Sequence, residues 1–219
     1  ITLYMLDNFI VFSFKKENKK TLIFLPGYTS GFDTPLLKGL IEYYSSREKD
    51  IDVLGINLEY QKDEPDLYTV SQEKIIKFTT KFAETYPQKE VVLVAKSLSG
   101  SLCISNSSLL KVKGLIALGF PVILGRPPKI SLLSIENPKL PNYKQEWMPA
   151  LINNKLPISI LSGGDDDLTD NDFLNKNATD FSNIILTVLP GANHDLSNCQ
   201  TGEVYLDACI NQISATIRR

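Results

Sequence analysis

One serine follows a buried apolar run at a point where small side chains flank it. The run Val91-Val92-Leu93-Val94 ends in Ala95-Lys96-Ser97-Leu98-Ser99, and a helical pattern begins at once. This order predicts a strand, a tight turn and a helix, with Ser97 at the apex of the turn. A serine presented in this way is a nucleophile elbow, whose usual sequence is G-x-S-x-G. Ala95 and Ser99 stand at the glycine positions, and both are small enough for the close approach of the two backbones.

Two further groups with acid–base chemistry follow later strands. His194, the only histidine of the chain, comes soon after the apolar run 184–189, and Asp165-Asp166-Asp167 follow an apolar run at 157–161. A serine hydroxyl needs a base to accept its proton, and imidazole has a suitable pKa. A carboxylate can hold the imidazole in the required tautomer. The three groups together therefore predict nucleophilic catalysis.

The elements that must position these groups alternate between strands and helices. Thr34 and Pro35 predict a helix start, as do Thr69 and Gln72, which have the spacing of a capping box. A third helix is predicted from about 98 to 110, and a last one near 206–217. Continuous apolar strands between amphipathic helices predict an α/β fold, with a mostly parallel central sheet and helices on both faces. The predicted strands are 10–14, 21–25, 51–56, 91–95, 114–120, 157–161 and 184–189, with a solvated hairpin tip at 15–20.

Composition narrows the class of protein further. The chain has 219 residues, 43% of them hydrophobic, and a formal net charge of −2, which excludes the basic footprint of a nucleic-acid-binding domain. No segment is long enough to span a membrane, and residues 1–14 do not resemble a signal peptide. The three cysteines are an odd number without metal-ligand spacing. Cys103 and Cys209 are predicted to be buried thiols, which favours a reducing, cytoplasmic compartment.

The order serine, aspartate, histidine, each after a strand, is that of the α/β-hydrolase superfamily. The chain resembles that superfamily over nearly its full length. Within it, Leu118-Gly119-Phe120-Pro121 and Gly125-Arg126-Pro127-Pro128, after an elbow of Lys-Ser-Leu-Ser-Gly type, are similar to a small, uncapped group. This is the dienelactone-hydrolase-like group that includes testis-expressed protein 30. The resemblance implies a single α/β-hydrolase domain over residues 1–219, without a large cap domain. Residues 121–156 are expected to form a short lid or insert.

The resemblance also implies roles for individual residues. Ser97 is the nucleophile, His194 the base, and Asp166 the acid, because Gly163-Gly164-Asp165-Asp166 matches the G-x-x-D pattern of the family. The oxyanion hole would consist of two backbone N–H groups, those of Tyr28 and Leu98. Tyr28 lies in Pro26-Gly27-Tyr28, where the family commonly has His-Gly-x. No metal and no cofactor is needed.

These features predict a serine hydrolase that acts on a small-molecule carboxylic ester or thioester through an acyl-enzyme. The alternative is a catalytically weak or inactive binding or scaffold module on the same fold, and acyl transfer by the same three residues is a third reading. Simpler roles remain open for single residues. Ser97 could be a plain helix N-cap, the run 165–167 a solvated acidic turn, and Lys96 a solvated side chain or one that shapes substrate entry.

Overall fold

The computed structural model describes residues 9–28, 31–58, 67–119, 121, 155–178 and 181–218, except for the side chains of 67–69, 173 and 177. Within these ranges, seven strands form one sheet. They are β1 (Phe9–Ser13), β2 (Lys20–Leu25), β3 (Ile51–Ile56), β4 (Glu90–Lys96), β5 (Gly114–Leu118), β6 (Ile158–Gly163) and β7 (Ile184–Leu189).

The sheet is mostly parallel. Its strand order is β1-β3-β2-β4-β5-β6-β7. Strands β2 to β7 are parallel to one another, and β1 alone among the described strands is antiparallel, to β3. The strands β3, β5 and β6 are buried along their whole length, as expected for strands of a parallel sheet that is covered on both faces.

Helices cover both faces of this sheet. The helices are α1 (Pro35–Arg47), α2 (Leu67–Thr85), α3 (Leu98–Ser105), α4 (Asn171–Ala178) and α5 (Leu206–Ile217). Successive side chains of a strand point to opposite faces, and the core is accordingly divided in two. Ile23 packs on the side of α2 and α3, whereas Leu22 packs on the side of α1 and α5. The predicted α/β architecture is therefore confirmed, and the described residues form no cap domain.

The segment between β1 and β2 differs from the prediction. It is not the tip of a hairpin, because β1 pairs with β3 and not with β2. It is not simply solvated either, since it supplies hydrogen bonds to the buried carboxylate of Asp52. The Lys15 N–H donates to Asp52 Oδ1 at 2.8 Å, and Asn18 Nδ2 donates to the same atom at 3.0 Å. The ammonium of Lys89 donates to the other oxygen. A buried carboxylate needs such partners.

Two helix boundaries and one helix cap also differ from the prediction. Helix α2 begins at Leu67, so Thr69 lies within it and the predicted capping box is wrong. Helix α1 begins at Pro35 as predicted, but Thr34 makes no side-chain capping bond. Helix α3 ends at Ser105 and not near 110. There Asn106 Nδ2 donates to Leu102 O at 2.9 Å, and such local side-chain bonds compete with continuation of a helix.

Several predictions concern parts of the chain beyond the described ranges. The lid or insert expected at 121–156 falls mainly on residues 122–154, which lie outside the described residues, and so does Arg126. None of the helices described here is both long and apolar enough to cross a membrane.

Candidate active site

Ser97 lies in a strained turn between β4 and α3. Its φ is 52° and its ψ is −122°, a combination that residues other than glycine rarely adopt. The Ser97 N–H donates to Leu118 O of β5 at 2.9 Å, and the N–H of Gly100 donates back to Ser97 O at 2.9 Å. The hydroxyl makes no helix-capping hydrogen bond. The backbone therefore holds the serine at the end of the strand, and its hydroxyl does not cap the helix.

That side chain meets the only histidine. Ser97 Oγ lies 2.8 Å from His194 Nε2, and His194 Nδ1 lies 2.9 Å from Asp166 Oδ2. The three residues follow β4, β7 and β6 respectively, and the carboxyl ends of parallel strands meet at one edge of a sheet. The structure thus brings together all three side chains that the sequence singles out as nucleophile, base and acid.

Asp166 is distinguished from its acidic neighbours by burial. It is 4% exposed, whereas Asp165 and Asp167 are exposed. Burial raises the pKa of Asp166. The hydrogen bond and the charge of His194, together with donors from Leu168 N–H and Thr169 Oγ1, outweigh this effect and hold the pKa below its ordinary value. The carboxylate is therefore ionised and accepts the Nδ1 proton, which leaves Nε2 as the acceptor for the Ser97 hydroxyl.

The two predicted oxyanion donors lie on segments that meet at the elbow. Leu98 is the first residue of α3, and N–H groups in the first turn of a helix have no carbonyl partner within the helix. Ser99 Oγ donates to Pro26 O at 2.5 Å. This bond ties the loop Pro26-Gly27-Tyr28 to the first turn of α3, and so brings the Tyr28 segment to the side of the elbow.

Comparison with known proteins identifies the family of the chain. Residues 18–219 match the α/β-hydrolase domain family. The chain belongs to the α/β-hydrolase family. No curated protein matches this hydrolase in sequence.

Solved structures share the fold of this hydrolase at low sequence identity. An esterase of Pyrococcus furiosus has a TM-score of 0.68 and 18% identity, over 93% of this chain and 82% of that one. Est1E of Butyrivibrio proteoclasticus, solved with ferulic acid, has a TM-score of 0.64 and 14% identity, over 94% and 95%. An α/β serine hydrolase without a lid from Xanthomonas campestris has a TM-score of 0.62 and 13% identity, over 92% and 82%.

Lys96 is a residue of this α/β hydrolase whose place the sequence did not reveal. It is not solvated, since it is 3% exposed. Its ammonium donates to His194 O at 2.9 Å and forms an ion pair with Asp195 Oδ1 at 3.2 Å. The only sequence signal was a lysine at the end of an apolar strand, next to the serine.

Two glycines at strand ends admit the loop that carries the histidine. Gly119, just after β5, has a φ of +58°, and a Cβ atom there would lie 2.3 Å from His194 O. Gly163 ends β6, and a Cβ atom there would lie 2.3 Å from the carbonyl oxygens of Ala192 and Asn193. Any side chain at either position would displace this loop. The positive φ of Gly119 also explains why β5 ends at Leu118, two residues before the predicted end.

One cavity of this hydrolase lies away from the site. It has a volume of about 340 Å³, and its lining includes Lys20, Ile51 and Glu90, the first residues of β2, β3 and β4. It is therefore at the amino ends of the strands, whereas Ser97 is at the carboxyl end of β4. It is not the place where a substrate would meet the serine.

Proposed function

We propose that this α/β hydrolase is a serine hydrolase that cleaves a small-molecule carboxylic ester or thioester through an acyl-enzyme. Ser97 is the nucleophile, His194 the general base and then acid, and Asp166 the group that orients the imidazole. The proposal rests on one observation, the unbroken path from Ser97 Oγ to His194 Nε2 and from His194 Nδ1 to Asp166 Oδ2, at 2.8 and 2.9 Å. The similarity in fold to esterases supports the substrate class.

Acylation follows from this path. Ser97 Oγ attacks the carbonyl carbon while its proton passes to His194 Nε2, and the carbonyl oxygen becomes an oxyanion. The ionised Asp166 stabilises the imidazolium that forms. The carbon–oxygen or carbon–sulfur bond then breaks, and His194 returns the proton to the departing alcohol or thiol.

In deacylation, water is the nucleophile and Ser97 Oγ is the leaving group. His194 accepts a proton from water as the water oxygen attacks the acyl carbon, and Ser97 Oγ leaves with that proton. The backbone N–H groups of Tyr28 and Leu98 would donate to the oxyanion in both steps. One such donor contributes about 3 kcal/mol of transition-state stabilisation. Acyl transfer would need an alcohol or thiol in place of the water, and analysis of the products separates the two outcomes.

The narrower assignment to the uncapped, dienelactone-hydrolase-like group is part of this proposal. It is supported by the elbow sequence Lys96-Ser97-Leu98-Ser99-Gly100 and by Leu118-Gly119 at the end of β5. A cytoplasmic location is proposed as well, because Cys103, Cys199 and Cys209 are all free thiols, which a reducing compartment favours.

The test replaces the nucleophile and, as a control, a serine of the helix that follows it. Ser97→Ala is expected to abolish both hydrolysis of p-nitrophenyl acetate and labelling by a fluorophosphonate probe, because the Ser97 hydroxyl is the group hydrogen-bonded to His194 Nε2. Ser101→Ala is the control. Ser101 is fully buried, its hydroxyl has no hydrogen-bond partner among the described residues, and its removal should leave turnover unchanged.

Two results would contradict the proposal. Turnover in Ser97→Ala equal to that of the wild-type chain would remove Ser97 as nucleophile. A folded wild-type chain that neither labels nor hydrolyses any of a panel of acyl esters and thioesters would favour the alternative, a binding module on a hydrolase fold.

A further inference from the structure

A buried cation contacts the loop that carries the base. The side chain of Lys96 is 4% exposed, and its Nζ lies 2.9 Å from His194 O and 3.2 Å from Asp195 Oδ1. The side chain of Asp195 is 74% exposed. The ammonium therefore reaches the loop from the interior, and the carboxylate covers it from the solvent side.

We propose that Lys96, held by Asp195, is a positioning residue that keeps His194 oriented toward Ser97. The catalytic part of this inference rests on the proposed function, whereas the orientation of the ring does not. Lys96 directly precedes Ser97, so one short stretch of backbone carries the nucleophile and also anchors the base. A displacement of Ser97 would therefore also displace the anchor of His194.

The charged groups around the Lys96 ammonium support its role in holding the His194 loop. Burial lowers the pKa of Lys96, while the carboxylates of Asp195 and then Asp166 raise it. The third neighbour is Cys209 of α5, whose thiol stays neutral because burial raises its pKa to about 12. Taking a cation out of water is costly unless it is paired and hydrogen-bonded. Its hydrogen bond and its ion pair are both made to the His194 loop.

The segment before β4 provides a matched control. Lys89 directly precedes β4, at the opposite end from Lys96, and its buried ammonium pairs with Asp52. It also donates to Lys15 O and Asn18 O at 2.9 and 2.7 Å. Loss of this lysine removes a buried charge of the same type without touching the His194 loop. The two lysines therefore separate an effect on stability from an effect on the base.

The experiment compares Lys96→Met, Asp195→Asn and Lys89→Met in the full chain. The readouts are kcat and KM for p-nitrophenyl acetate, the melting temperature, and the NMR signal of isotope-labelled histidine. The chain has one histidine, so the ring signal and the Nδ1 proton bonded to Asp166 belong to His194.

Lys96→Met is expected to lower kcat by about 10- to 100-fold, as a small misplacement of a catalytic group does, with little change in KM. The ring signal should broaden or shift, and the Nδ1 proton should exchange with solvent. Asp195→Asn should give the same changes at a smaller size. Lys89→Met should lower the melting temperature and leave the histidine signal and kcat as in the wild-type chain.

The inference is overturned if folded Lys96→Met keeps the kcat and the histidine signal of the wild-type chain. Should Lys96→Met fail to fold, Asp195→Asn decides, and an unchanged kcat and ring signal in that variant overturn the inference. A wild-type chain without hydrolysis or labelling would refute the proposed function alone. The ring signal and the Nδ1 proton of the variants would still decide whether Lys96 positions the imidazole.

Discussion

The environment of a single carboxylate separates Asp166 from the acids beside it. Its two oxygens accept hydrogen bonds from Leu168 N–H, from the Thr169 hydroxyl and from the His194 ring. These bonds are made to the ionised form and hold the pKa of Asp166 below its ordinary value, although burial acts in the opposite direction. The carboxylate therefore contributes to the stability of the folded chain as well as to the orientation of the imidazole.

This contribution should depend on pH. The folded-state pKa of Asp166 is lower than the unfolded value of about 3.9, so the stabilisation is present above that value and is lost as the pH falls through the folded pKa. We expect the free energy of unfolding, measured with urea between about pH 5 and pH 3, to fall less steeply in Asp166→Asn than in the wild-type chain. Asp165→Asn, on an exposed neighbour, should keep the wild-type slope. Equal slopes in all three proteins would contradict this account of Asp166.

Asp166→Asn should also lower kcat, by up to about 10⁴-fold, because an amide cannot hold the required tautomer of the imidazole. The variant is compared with Asp165→Asn by steady-state kinetics on the same ester. A kcat close to that of the wild-type chain would remove Asp166 from the proposed mechanism.

Among the elements, the ends of β5 and β6 decide where the histidine loop can lie. Gly119 and Gly163 let the backbone of residues 192–194 pass close to the sheet. The loop is held there by Asp165 N–H, which donates to Ala192 O at 2.9 Å. A side chain at either glycine would push the loop outward, and His194 with it.

Gly119→Ala should therefore reduce activity more than stability alone explains. Gly202 provides the control, because it also has a positive φ, +73°, but a Cβ atom there would meet nothing within 4 Å. Gly202→Ala carries only the backbone cost of about 1–2 kcal/mol and should keep the wild-type kcat. We expect Gly119→Ala to be less stable than Gly202→Ala in urea denaturation and to lose at least about 10-fold in kcat. Equal behaviour of the two variants would contradict the role given to the loop backbone.

Features that depend on residues close together in the chain could largely be predicted from the sequence, and features that depend on distant contacts could not. Strands such as β3 and β7 could be bounded from sequence because their runs are mostly apolar and are followed by Asn57 and by Pro190. The pairing of β1 with β3 could not, because β2 lies between these two strands in the chain and the contacts of the buried Asp52 with the segment after β1 join distant residues. The end of α3 depends on the side chain of Asn106, which no periodicity reveals.

The residues of the candidate site also fall into those that the sequence could predict and those that it could not. Ser97, Asp166 and His194 could be selected because each follows a predicted strand, and strand ends converge in a parallel sheet. The environment of Lys96 could not be predicted, since its partners, His194 and Asp195, are 98 and 99 positions away. Nothing near a lysine at a strand end distinguishes one that meets a distant loop from one that is solvated.

Across the whole molecule, the three cysteines occupy unlike environments. Cys103 in α3 and Cys209 in α5 are fully buried, on opposite faces of the sheet, and Cys199 is exposed. The burial predicted for Cys103 and Cys209 is confirmed. Burial raises the pKa of both of these thiols, that of Cys209 to about 12, and a thiolate is the reactive form.

One thiol per folded chain should therefore react with an aromatic disulfide reagent, and three should react after denaturation. Cys199→Ser should remove the fast reaction and leave hydrolysis intact, because Cys199 lies outside the proposed machinery. Rapid reaction of two or more thiols in the native chain would show that a core face opens to solvent.

Strand β7, which leads into the histidine loop, is paired along one side only among the described strands, whereas β4, which leads into the elbow, has a neighbour on each side. The four middle residues of β7 are half-buried. Segments with few buried contacts unfold locally at a lower free energy than the core strands do. Local unfolding of β7 would move the imidazole of His194 away from Ser97 while the elbow after β4 stayed in place. The hydrolase would then lose activity without global unfolding.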